Sequence, residues 1–180
     1  AYYISNVELA TKNIPGLGIG FSVHQAQSID TSKSYHIDSI GFLMSFEHID
    51  LALSRKISPF QGFQNIAIAC SPSYRYNNPI ENILAIYTGK NINFNDSISL
   101  SIGDTITGMF NISSTFSDYS YPEPLQSYSD LYQDMEESLL IRFIEKNRDS
   151  LDFHFDLITT LIDGKVFKSE NISVKLIPSK

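Results

Sequence analysis

Between positions 151 and 161 the chain alternates with a period of two. Leu151, Phe153, Phe155, Leu157 and Leu161 fall on one parity, while Asp152, His154 and Asp156 fall on the other. Such alternation gives an extended strand one buried face and one wet face. The dipeptide Asp163-Gly164 follows, and Val166, Ile172, Val174 and Leu176 then resume a single parity. The stretch 151–177 therefore predicts an antiparallel hairpin closed by a tight turn.

Strand signals continue through most of the chain. Ile98, Leu100, Ile102, Ile106, Phe110 and Ile112 share a parity, interrupted by Gly103-Asp104 and Gly108. Those interruptions predict a bulge or a crossing between sheets. Between positions 35 and 53 the phase changes twice: Tyr35 and Ile37 share one parity, Ile40, Phe42, Met44 and Phe46 the other, and Ile49, Leu51 and Leu53 return to the first. One flat strand cannot bury a single face through both changes, so bends, bulges or two strands are expected there. With the runs 2–9, 19–24, 66–70, 83–87 and 139–144, the count reaches about eight or nine short strands.

One short helix is expected. Ser127-Tyr-Ser-Asp130 matches a capping box, and Leu131, Met135 and Leu139 recur at helical spacing. The longest loop is the serine- and tyrosine-rich stretch 113–129 with Pro122 and Pro124, a kind of segment that lies on the surface and often carries recognition. The pattern predicts an all-β antiparallel sandwich of one domain, 1–180, although an open barrel leaves much the same trace.

The chain has 180 residues, 42% hydrophobic and 12% aromatic, enough for one folded core. Its net charge of −7 lacks the positive field that draws proteins to nucleic acid or to anionic membrane surfaces. No apolar run approaches the roughly 20 residues of a membrane helix. Cys70 is the only cysteine, which removes an internal disulfide and any multi-cysteine metal site, and its small apolar neighbours predict a buried thiol. GLGIG at 16–20 lacks the Lys-Ser/Thr of a phosphate-binding loop, no Gly-x-Ser-x-Gly elbow is present, and Glu136-Glu137 reads as the acidic face of the helix. No cofactor is expected. The chain opens on Ala1 rather than Met, which suggests residues removed upstream.

Three His-x-Asp steps carry the sharpest chemical possibility: His36–Asp38, His48–Asp50 and His154–Asp156. Residues two apart on a strand share a face, so two such steps on neighbouring strands could hold zinc and support a cation-dependent hydrolase. That reading requires the steps to converge; a solvated polar face is the plainer account. For binding, the candidates are Tyr74 and Tyr76 in PSYRYNN and Tyr119 and Tyr121 in SDYSYPEP, since an exposed tyrosine offers a rigid apolar plate with a polar tip. The plainer account of these four is packing of the loops over the sandwich ends.

The order ACSP, then IENILAIYTGKNINFND, then the short helix, then LDFHFDLITTLIDGKVFKSENISVKL resembles uncharacterised lipoproteins of Bacteroidetes over roughly 66–176. The resemblance implies an immunoglobulin-like sandwich on the cell envelope without enzymatic activity, and a lipid-bearing cysteine that would stand upstream of Ala1. It also implies export, and the loop tyrosines at one sandwich end suggest a protein or a glycan as partner. Secreted proteins of that group are often O-glycosylated at Asp-Ser/Thr before an apolar residue, which points to Ser39, Ser97, Thr105 and Ser150. Turns closed by Asp and Ser ahead of a strand produce the same tripeptides.

Overall fold

The computed structural model describes residues 2–14, 26–50, 76–115, 122–128 and 138–178. Their strands are β1 (Tyr2–Asn13), β2 (Gln27–Ser28), β3 (Ser34–His36), β4 (Ile40–Asp50), β5 (Ile80–Tyr87), β6 (Ile92–Asn93) and β7 (Ser99–Leu100). They continue with β8 (Phe110–Ser114), β9 (Glu123–Pro124), β10 (Ser138–Phe143), β11 (Leu151–Leu161) and β12 (Val166–Ile177). One sheet runs β2-β1-β4-β10-β8-β9 and a second runs β3-β12-β11-β5, with β6 and β7 forming a separate ribbon.

The long strands give the architecture its identity. Their orders β1-β4-β10-β8 and β12-β11-β5, antiparallel throughout, are the A-B-E-D and G-F-C orders of an immunoglobulin sandwich. β3 adds to the outer edge of β12 as a short parallel strand at Lys175–Ile177. The fold is all-β and sandwich-like, as the alternation predicts.

The two sheets meet through aromatic rings. Phe42 of β4 lies edge-on to Phe155 of β11 at 5.0 Å between centroids, and Phe110 of β8 lies 5.4 Å from Phe155. Phe143 approaches Phe110 at 4.8 Å and Phe153 at 5.2 Å. Strands β4 and β11 are those that an antibody domain joins by a disulfide packed on a tryptophan. This chain has one cysteine and no tryptophan, and the Phe42–Phe155 pair stands at that crossing instead.

The C-terminal hairpin forms as predicted, but the parity of its second strand breaks at a bulge, so that Val166 is 57% exposed while Val174 and Leu176 are buried. Phe153, Phe155, Leu157 and Leu161 are buried, and Leu151 pairs with Leu176 across the ladder. Gly164 takes φ +81°, its N–H donates to Leu161 O at 2.8 Å, and Asp163 Oδ1 accepts from Lys165 N. A bulge between Phe155 and Leu157 puts Asn171 at φ +58°. Asp156 Oδ1 accepts the Asn171 N–H at 2.8 Å, and Asp156 Oδ2 lies 3.3 Å from Lys168 Nζ. A β-branched residue cannot enter the left-handed region without a clash, so Asn171→Val is expected to cost about 1–2 kcal/mol in urea unfolding. Asn171→Gly is expected to lose nothing.

The phase changes between 35 and 53 have two separate causes. The first is the 3-10 turn Ile37–Ser39, which carries the chain from β3 in one sheet to β4 in the other. At the second, Ile49 continues β4 with its side chain 50% exposed and the bulge falls on the partner strand between Ile4 and Asn6, while Leu51 and Leu53 lie outside the described residues. The 98–112 parity run is likewise not one strand. Ile102 stands 72% exposed in a turn where Gly103 takes φ +93°, and the 3-10 turn Thr107–Met109 precedes β8.

The expected helix is corrected where it is described. Ser127 ends a 3-10 turn, Leu125–Ser127, and its hydroxyl donates to Pro124 O, while Leu139 belongs to β10. Positions 129–137 lie outside the described residues, as do the strand runs 19–24 and 66–70 and the Cys70 thiol.

Tyr87 closes β5 inside the core, fully buried, with its hydroxyl donating to Lys90 O at 2.6 Å. Burial pushes its phenol above the ordinary value of 10.0. As pH rises past that value the unfolded chain releases this proton while the folded chain retains it, so stability falls with rising pH. Melting temperature followed from about pH 9 to 11 is expected to drop less steeply in Tyr87→Phe than in the parent.

Candidate functional site

The strand registers define two ends of the sandwich. At one of them β4 ends, β5 begins, β8 ends, β11 ends and β12 begins, since Tyr2 pairs with Asp50, Leu161 with Ile80 and Thr160 with Val166. Two bonds fix these termini side by side: Ile162 N donates to Pro79 O at 3.0 Å within the β5–β11 pair, and Lys165 Nζ donates to Ser5 O at 2.9 Å across the sheets. Two long connections open from this end, 51–79 between β4 and β5 and 115–137 between β8 and β10. Connections in compact domains usually run about 2–6 residues, and 115–137 carries β9 and the 3-10 turn Leu125–Ser127. The same end carries the binding loops of antibody variable domains.

One buried side chain ties three elements together at the base of this end. Asn78 is 2% exposed; its Oδ1 accepts from Ile4 N at 2.7 Å. Its Nδ2 donates to Ile4 O and to Asp163 Oδ2, both at 3.1 Å. The amide therefore acts as a strand partner for β1 while holding the β11–β12 turn. Beside it, Asn77 N donates to Tyr2 O at 2.8 Å. At the other connection, the Thr115 and Ser138 hydroxyls lie 2.6 Å apart.

Tyr76 corrects one of the four tyrosine expectations. It is 6% exposed and belongs to the core, packed on Phe46 at 6.4 Å and on His48 at 6.3 Å. Tyr2 meets the same imidazole edge-on at 5.5 Å. Tyr76 thus anchors the return of the 51–79 connection rather than offering an open plate. Tyr74, Tyr119 and Tyr121 lie outside the described residues. Their described neighbours Tyr76, Thr115 and Pro122 lie within the two long connections.

The His-x-Asp steps do not come together. His36 Nδ1 lies 2.7 Å from Pro178 O, tying β3 to the end of β12, and Asp38 is exposed in the adjoining 3-10 turn. His48 belongs to the other sheet, at the loop-bearing end, and the Asp50 side chain lies outside the described residues. His154 faces outward from β11 opposite Ser173, with β12 between it and His36, and Asp156 is engaged by Asn171 and Lys168. Among the described residues no three His, Cys, Asp or Glu side chains gather as a metal site would require.

Of the candidate glycosylation sites, Ser97, Thr105 and Ser150 are exposed, whereas Ser39 is half-buried and its hydroxyl donates to His36 O at 2.8 Å. The neighbouring acids also do turn work. Asp104 Oδ2 accepts from Ser101 N at 2.7 Å, and Asp96 pairs with Arg148 at 2.8 Å.

No protein-family model matches the chain, and comparison with curated proteins and with solved structures returned no significant match. Among the described residues no helix is long and apolar enough to cross a membrane.

The residues that sequence reasoning missed are Asn78 and Tyr2. Asn77-Asn78-Pro79 reads locally as a turn before a strand, and no spacing rule connects it to Ile4, 74 positions away.

Proposed function

We propose that the chain is a noncatalytic binding or structural module of the cell envelope that recognises a protein or glycan through the loops of one sandwich end. The observation that carries this reading is the opening of the two long connections, 51–79 and 115–137, at the same end. Both carry the tyrosines that sequence alone marks as contacts, Tyr74 in one and Tyr119 and Tyr121 in the other. The side chains that could do chemistry point the same way, since His36, Asp156 and Asp163 are engaged in holding strands and turns. Placement on the envelope rests on the resemblance to Bacteroidetes lipoproteins, with a lipid on a cysteine upstream of Ala1 as the anchor. The charge of −7 favours partners other than nucleic acid.

Two experiments test the proposal. The folded chain is applied to a glycan array and to immobilised envelope proteins of the native host, and any ligand found is titrated against Tyr74→Ala, Tyr119→Ala and Tyr121→Ala. At least one substitution is expected to weaken binding about tenfold or more, as an aromatic anchor does. Undiminished binding by all three would remove the tyrosines from the site. Fatty-acid labelling of the full gene product in that host tests the anchor, and a labelled envelope fraction is expected.

A further inference from the structure

We draw no further inference here: the strongest candidate, the apolar stripe of Leu84, Ile86, Ile158 and Val166 on the outer face of the β5-β11-β12 sheet, is an unpartnered face, and nothing in the structure shows what covers it.

Discussion

Phe155→Ala is expected to lower the unfolding free energy by about 3–5 kcal/mol, the usual cost of removing a buried phenylalanine. Against a total of about 5–15 kcal/mol for a folded domain, that loss is large enough to populate unfolded chain at room temperature in the less stable half of that range. The reason lies in position. Phe155 is 1% exposed and touches Phe42 and Phe110 across the gap between sheets, and Phe153 along its own strand. Phe42 is fully buried and is expected to show a loss in the same range. Urea unfolding of both single variants and the double variant separates burial from direct contact. A coupling of about 0.5–1.5 kcal/mol is expected for an edge-on aromatic pair. Simple additivity would mean that the two rings do not hold the sheets together, and that the disulfide-free sandwich is maintained elsewhere.

Asn78→Ala ranks beside it at about 3 kcal/mol. The substitution removes the carboxamide and leaves the Ile4 N–H and C=O without the partner they have in the parent, at a residue that is itself 2% exposed. Each unsatisfied buried group costs about 1–3 kcal/mol. For a domain of this size a change of that magnitude lowers the melting temperature by about 6–12 °C. Hydrogen exchange at the Ile4 amide gives a local reading, and it is expected to accelerate more than exchange at the amides of β10. Asn78→Asp is expected to be no better, since a carboxylate cannot donate to Ile4 O and would lie beside the Asp163 carboxylate. A melting temperature unchanged in both variants would show that β1 is held by its ladder with β4 alone.

The fold was readable where one strand buries one face. The alternation of Leu151, Phe153, Phe155 and Leu157 against Asp152, His154 and Asp156 reports a half-buried strand directly, and Asp163-Gly164 supplies the left-handed turn position that Gly164 occupies. The reading failed where parity continued by coincidence. Ile102 shares a parity with Leu100 and Ile106 yet protrudes from a turn, because a run of alternate isoleucines does not reveal that Gly103 has reversed the chain. Ile49 shows the converse, a strand continuing while its apolar residue turns outward.

The candidate site was less legible, for a physical reason. Tyr76 looked like an exposed plate because its neighbours in sequence are polar, but its packing partners are Phe46 and His48, about 30 positions away. Of the His-x-Asp steps, His48–Asp50 and His154–Asp156 each lie along one strand while Asp38 falls in a 3-10 turn, and convergence depends on sheet membership, which no local pattern encodes. The strand order places His48 in one sheet and His36 and His154 in the other. That connections 51–79 and 115–137 open at the same end also follows from strand order rather than from composition.

The most direct test of a loop-end binding module is site-specific photocrosslinking in the native host, with a photoreactive residue placed at one of two exposed isoleucines. Ile162 is 50% exposed at the end that carries the long connections, and Ile102 is 72% exposed beyond the opposite terminus of β5. Neither substitution disturbs the core. Covalent adducts formed from Ile162 and absent from Ile102 are the result the account predicts. Adducts from Ile102 alone would contradict it, because the partner would then meet the opposite end of the sandwich.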